Sequence, residues 1–338
     1  MAAAVEQRRA WEPRCWCDPG AALVPFAEDY LRCTACETLV CTVAPDASTA
    51  GVADDGADFY GARYWTDHQT QMLGAPEIGE RARADLSERC VYWLRALLRY
   101  RRPPARLLEI GASHGGFLRL AQLAGFDGTG IEMSPAIVDL ARRTFGVDMR
   151  QGPLEAAGIA DETFDVVACF DVLEHFADPE VSLREIRRVL RPGGLLLLQT
   201  PSYPATGAAE LIAAQDRFLE HLCAPEHVYL FSQRSVASIL ARAGFPAATF
   251  AAPIFMYDMF VVAGTELSAP ADRDEIERTL LGSADGRLAL ALLDLFEMRE
   301  NLAAVAAERL AVIAELATAC EDRLALIERL DHELHPRR

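Results

Sequence analysis

From Arg106 onward, short apolar runs and helical patterns take turns along the chain, and that alternation leaves few folds open. The runs are ARLLEI, GTGIE, a weaker GVDMR, FDVVACF and GGLLLLQT. Between them, Phe117 to Ala124, Pro135 to Thr144 and Pro179 to Leu190 carry apolar residues at helical spacing, the last followed by the stop signal Arg191-Pro192-Gly193-Gly194. A run with no polar alternation is buried on both faces, so runs of this kind joined by helices imply a parallel sheet with helices on either side. A further helix is expected from Ser232 to about Ala243, followed by an antiparallel hairpin within AATFAAPIFMYDMFVVAG that closes one sheet edge. The fold class is therefore α/β and doubly wound.

The chain of 338 residues is longer than one such domain needs, and its composition shifts at both ends. Residues 1–50 are rich in cysteine, 51–100 form a linker and a helical segment from about Pro76 to Tyr100, and 101–265 hold the α/β domain with a substrate lid at about 202–232. Residues 266–338 are rich in Ala, Leu, Glu and Arg, with Leu295, Met298, Leu302, Val305, Val312, Leu316, Leu326 and Leu330 on one stripe interrupted by Arg309 and Arg323. That stripe is an amphipathic helix or helix pair; packing on its own domain and a coiled-coil seam between two copies both stay open. A formal charge of −17, with no basic run to offset it locally, argues against nucleic acid as a partner. The opening MAAAVEQRRAWEPR lacks a secretory apolar stretch and no run is long enough to cross a bilayer, which predicts a cytoplasmic protein.

The segment Leu107 to Gly116 reads as a buried strand, a glycine turn and a helix start. Glycines let backbone approach a ligand, and a helix amino terminus offers free N–H groups to an anionic end. The turn has Gly111, Gly115 and Gly116 in place of G-x-G-x-x-G, so it departs from a dinucleotide fingerprint. Glu132 ends the next strand, where a carboxylate can accept both hydroxyls of a ribose, and Met133 can cover a purine face. The fourth strand then yields FDVVACFDVLEHFADP and the fifth is announced by LRPGGLLLLQTP.

This ordered set, over residues 106–201, resembles the class I S-adenosylmethionine (SAM) dependent methyltransferases, in particular their small-molecule branch with D-V-L-E-H and R-P-G-G elements. The resemblance implies a Rossmann-like seven-stranded sheet and SAM as the organic cofactor. It implies that Glu109, Gly111, Ala112 and Gly115 hold the methionine moiety, with His114 at the cofactor or its entry path. It places Glu132 on the ribose, Met133 on the adenine, Gly152, Pro153 and Leu154 at the adenine edge, and Phe170 and Asp171 near the sulfonium. Many relatives carry an acidic residue where this chain has Pro153.

Methyl transfer to a hydroxyl asks the protein to align the acceptor, exclude water and remove a proton. Among seven histidines, His175 lies in the LEH element, and His221 and His227 lie in FLEHLCAPEHVYLFS, where substrate-covering structure is expected. His227 ranks first as base, with Glu226 or Glu220 to orient it, and Tyr203 reads as a pocket wall. For each histidine, a purely structural role in the lid is the competing reading.

Cys15-x-Cys17 and Cys33-x-x-Cys36 bracket a short span, as in a zinc ribbon whose two knuckles gather four thiolates around a structural zinc; Cys41 is a substitute candidate. With the following FYGARYW, this front end resembles the zinc-ribbon amino termini of methyltransferases from polysaccharide or natural-product pathways, which implies a sugar or secondary-metabolite acceptor. The leading expectation is a small-molecule O-methyltransferase. A carbon- or nitrogen-methyltransferase on a nucleotide sugar, an RNA methyltransferase and a non-catalytic assembly subunit are the rivals.

Overall fold

The computed structural model describes residues 11–72, 74 and 76–334. The amino-terminal ten residues, on which part of the localisation expectation rests, lie outside them. The chain divides into two units, residues 1–290 and 291–338.

The larger unit is organised around a seven-stranded sheet. Its parallel part consists of β4 (Arg106–Ile110), β5 (Asp127–Glu132), β6 (Asp148–Gln151), β7 (Phe164–Phe170) and β8 (Leu190–Pro201). The antiparallel hairpin β10 (Ala247–Ala251) and β11 (Asp258–Gly264) completes it, in the order β10-β11-β8-β7-β4-β5-β6. This is the doubly wound sheet with a closing hairpin that the sequence predicts. The interior strands are buried almost throughout because they carry Val, Ile, Leu and Phe on both faces.

Helices α3 (Gly116–Ala124), α4 (Pro135–Phe145) and α5 (Pro179–Val189) make the crossovers, and α7 (Gln233–Arg242) packs with α5 and β10. Their starts are chemically marked. Ser134, Asp178 and Ser232 each accept a hydrogen bond from the third residue of the helix they cap, and proline fills the first position of α4 and α5.

The helix expected from Pro76 to Tyr100 is broken into α1 (Ile78–Ala84), a 3₁₀ turn over Asp85–Ser87 and α2 (Arg89–Tyr100). Asp85 sits at the break because its carboxylate is engaged three ways, by Arg81, Arg89 and His114. Arg191-Pro192-Gly193-Gly194 is likewise no separate turn. It belongs to the start of β8, with a register irregularity against β7 and Gly193 at φ 71°.

A second sheet has the order β1-β2-β3-β9, from β1 (Leu23–Ala27), β2 (Tyr30–Cys33), β3 (Leu39–Cys41) and β9 (Tyr229–Leu230). The first three strands come from the cysteine-rich segment and the fourth from the far end of the lid, beyond α6 (Ala208–Ala214). Cys15, Cys33, Cys36 and Val40 share one buried cluster with Leu108, Leu196 and Phe231 of the α/β core.

After α8 (Arg273–Leu280) comes α9 (Ala284–Leu334), a single helix of 51 residues where the sequence left open a helix or a pair. The smaller unit consists of its continuation from Ala291, and most of its large apolar side chains are exposed. Among the described residues no helix is long and apolar enough to cross a membrane.

Candidate active site

Parallel strands β4, β5 and β7 end at the same side of the sheet, where chain connections diverge in opposite directions and leave a crevice. A cavity of about 790 Å³ opens there, lined from the α/β domain, the lid and the 60–89 segment. All but one of the expected cofactor residues line it: Glu109, Gly111, Ala112, His114, Glu132, Met133, Gly152, Pro153, Leu154, Phe170 and Asp171. Gly115 stands behind the wall, at φ 78°, where a Cβ would meet Val147 at 2.7 Å.

The glycine turn is built to bring backbone close. Gly111 has φ 69°, and a Cβ on it would lie 2.5 Å from Val172. Ser113, at φ 47°, donates its N–H to Glu132 Oε2 at 3.0 Å. The other Glu132 oxygen accepts from the N–H groups of Met133 (2.9 Å) and Ser134 (3.3 Å), so the carboxylate is fixed at the mouth of the turn. Burial raises the pKa of Glu132 and, well above the usual range, that of Glu109, which Glu132 pushes further. Glu109 Oε2 and Ser113 Oγ are buried with no hydrogen-bond partner among the described residues. An orphaned carboxylate oxygen of this kind calls for a donor from outside the chain, and a ligand ammonium supplies one. The crevice therefore fits SAM, which carries such an ammonium.

His114 is tied down more firmly than the sequence suggests. Its Nδ1 accepts the Gly116 N–H at 3.0 Å, so Nε2 carries the hydrogen and donates to Asp85 at 3.1 Å. Asp85 also meets Arg81 and Arg89, and Arg89 reaches Asp171 at 3.2 Å. The break before α2 thus ties the cofactor turn to the floor of the cavity.

The deeper half of the cavity gathers the three histidines expected there. His227 Nδ1 lies 2.7 Å from the carbonyl oxygen of His221. His175 Nδ1 lies 3.0 Å from the carbonyl of Glu226 and 3.1 Å from the Tyr60 hydroxyl. A carbonyl only accepts, so both rings carry hydrogen on Nδ1. Burial first, and then His227, pushes the pKa of His175 and of His221 down to about 4, leaving both neutral at pH 7. Ligand atoms of Glu174, His175 and His227 come within 4.8 Å of one another. Glu174 is buried, accepts from Thr200 Oγ1 at 2.9 Å, and has its pKa raised well above the usual range by burial and by Asp171.

Several lining residues escape the sequence reading. Tyr60, Tyr64 and Trp65 cap the cavity, and Tyr64 donates to Glu226 Oε1 at 2.9 Å. Asp258, at the start of β11, shares the Gln199 amide with Asp171, and its pKa is raised to about 8 by burial and then by Asp171. Phe170 stacks on Trp93 with centroids 4.2 Å apart. Tyr203 is no pocket wall: its ring packs against Phe26 and Phe218, and its hydroxyl binds the Thr206 carbonyl.

The four knuckle cysteines converge as the spacing predicts. Cys15 and Cys36 sulfurs lie 3.3 Å apart, those of Cys17 and Cys33 3.6 Å, and all four lie within 4.8 Å of one another. Four converging thiols in so small a sheet fit a tetrahedral zinc ion. Cys41 is instead buried with Tyr30 and Leu230.

Residues 82–248 match the family model described as a methyltransferase domain. A ubiquinone biosynthesis O-methyltransferase of Parvibaculum lavamentivorans is 39% identical over 101 residues, which cover 28% of this chain and 40% of that protein. One of the same name from Xanthomonas oryzae pv. oryzae is 33% identical over 118 residues, 33% of this chain and 49% of that one. The chain spans about half the length, or less, of these curated relatives. Among solved structures, a SAM-dependent methyltransferase from Thermotoga maritima is 20% identical with a TM-score of 0.42, covering 59% of this chain and 99% of that one. The methyltransferase solved with the Haloferax volcanii Trm112 activator is 20% identical with a TM-score of 0.45, covering 54% and 93%. With the seven-stranded sheet and the glycine turn in place, residues 82–248 are a class I SAM-dependent methyltransferase domain.

Proposed function

We propose that this protein transfers a methyl group from SAM to a hydroxyl of a small molecule, with His227 as general base. The observation that carries the reading is the placement of His227: held by Nδ1 against the His221 carbonyl, it lines the same cavity as the glycine turn. Bound SAM supplies an activated methyl group on a sulfonium. The chain holds it through Glu109, the 111–114 turn, Glu132, Met133 and the 152–154 loop, with Phe170 and Asp171 beneath. Tyr60, Tyr64 and Trp65 exclude water above the reacting atoms, while Glu226, bonded to Tyr64, holds the lid beside His227.

Carboxyl groups of Asp171, Glu174, Glu226 and Asp258 crowd the acceptor half, with Arg89 as a countercharge. With Glu174 and Asp258 held protonated by their raised pKa values, that lining offers donors and acceptors to a hydroxyl-bearing sugar or secondary-metabolite ring, and the formal charge of −17 weighs against nucleic acid. A ubiquinone-pathway acceptor, brought forward by the names of the curated relatives, is the second reading. The cysteine knuckles hold a structural zinc, the protein works in the cytoplasm, and copies associate through α9.

The test is calorimetric titration with SAM and S-adenosylhomocysteine, followed by transfer from methyl-labelled SAM to a panel of hydroxylated sugars and phenols. Micromolar binding and a labelled ether product are expected. Absence of SAM binding by the folded chain sinks the proposal and favours a scaffold role; an N- or C-methylated product replaces the acceptor chemistry.

A further inference from the structure

Helix α9 presents an apolar face with cations set into it. Taking Leu302 as the first core position of a heptad, the a positions are Leu302, Arg309, Leu316, Arg323 and Leu330, and the d positions are Val305, Val312, Ala319 and Leu326. The aliphatic members Leu302, Val305, Val312, Leu316, Leu326 and Leu330 are all exposed, so the chain alone leaves the seam uncovered. From Leu302 to Leu330 the seam runs roughly 43 Å at 1.5 Å per residue, four heptads. A 3-4 repeat kept over that length is the spacing that a supercoiled partner helix reads.

The two arginines say what the partner is. On one helix, a side chain reaches neighbours three and four residues away. For Arg309 these are Val305, Ala306, Val312 and Ile313; for Arg323 they are Ala319, Cys320, Leu326 and Ile327. No acid of the same helix is within that reach. In a parallel, in-register pair, an a residue instead lies beside the preceding g residue of the other helix. Those g residues are Glu308 for Arg309 and Asp322 for Arg323, and Glu315 occupies the g position between them. The next g residue is Arg329, and an antiparallel pair aligned over the same span would set Glu315 of each helix against Asp322 of the other.

We propose that α9 pairs, parallel and in register, with α9 of a second copy of this chain, with Arg309 and Arg323 each meeting Glu308 and Asp322 of the other copy. Every cationic break in the seam then has a countercharge in the identical sequence, whereas a one-heptad slip leaves one arginine of each helix beside Glu315 and sets the other beside Asn301 or Arg329.

The test uses the full chain. Light scattering of the purified protein should give twice the 37.0 kDa chain mass. In a Cys320→Ser background, Val305→Cys and Ala319→Cys should each give a disulfide-linked dimer on mild oxidation, since d positions face each other only when parallel and in register. The double variant Arg309→Glu/Arg323→Glu, and separately Glu308→Arg/Asp322→Arg, should dissociate about tenfold or more readily, and mixing the two should restore pairing. SAM affinity should stay unchanged in all of them. A monomer mass, a larger oligomer, failure of either cysteine pair to cross-link, or failure of the mixture to recover overturns the proposal. The cross-linking and mixing arms read out separately from catalysis, so they stand or fall independently of the methyl-transfer reading.

Discussion

The carbonyl oxygen of His221 lies 2.7 Å from Nδ1 of His227, and this one contact sets which edge of the His227 ring faces its own lid segment. It also makes the lid self-orienting, since both residues belong to the same 217–227 stretch.

Replacing His227 by Asn keeps a polar group against the His221 carbonyl but removes the Nε2 nitrogen, the proposed base. The expected result is a loss of about 10² to 10⁴ in kcat, with the SAM dissociation constant within about twofold of the parent by calorimetry. Full turnover by His227→Asn would reassign the histidine to structure.

Glu132 is anchored by three backbone N–H groups before any ligand arrives, so its carboxylate is positioned in advance. Glu132→Ala should weaken SAM binding about 10- to 100-fold, measured by titration, because it removes the ribose acceptor and releases the Ser113 N–H. An unchanged affinity would show that the ligand lies elsewhere.

Asp258 gives a pH signature. Its folded pKa of about 8 is raised above the ordinary carboxylate value, so the folded state binds the extra proton. Its contribution to stability is present at low pH and is lost as pH rises from about 4 towards 8. Asp258→Asn lacks that loss. In thermal melts without ligand, the variant should gain on the parent steadily as pH rises from 5 to 8, and a constant difference across the range would refute the shift.

The cysteine knuckles should bring one zinc per chain by elemental analysis. Cys36→Ser should lose it, with the melting temperature falling by about 10 °C or more. Retained zinc in this variant would point to another ligand set.

Much of the α/β domain is readable because its signals are local. Apolar runs, glycines at Gly111 and Gly115, and caps such as Ser134 and Ser232 lie next to the elements they define. The same holds for the positions of Glu109, Glu132 and the two cysteine pairs, which follow from a strand end or a short spacing. What stays hidden depends on pairings far apart in sequence. Asp258 joins the cavity only because β11 runs antiparallel beside β8, setting Asp258 opposite Pro201. Arg89 reaches the cavity floor through Asp171, 82 residues away. Tyr60 and Tyr64 stand out as an aromatic cluster, yet nothing near them says that they reach Glu226 and His175. Tyr203 misleads for the opposite reason: its place just after a strand suggests the crevice, and the ribbon sheet claims it.

The ribbon's own strands reach the catalytic half of the molecule. Tyr30 donates its hydroxyl to the His227 carbonyl at 2.8 Å, and the Cys41 N–H binds the next carbonyl, that of Val228, at 2.9 Å. The glycine turn is fixed within the other sheet, where the Ala112 N–H binds the Ile131 carbonyl and the Ser113 N–H binds Glu132. Loss of the proposed zinc is therefore expected to reach the lid first, so that transfer should fall further than donor affinity and saturation with donor would be a poor certificate of competence.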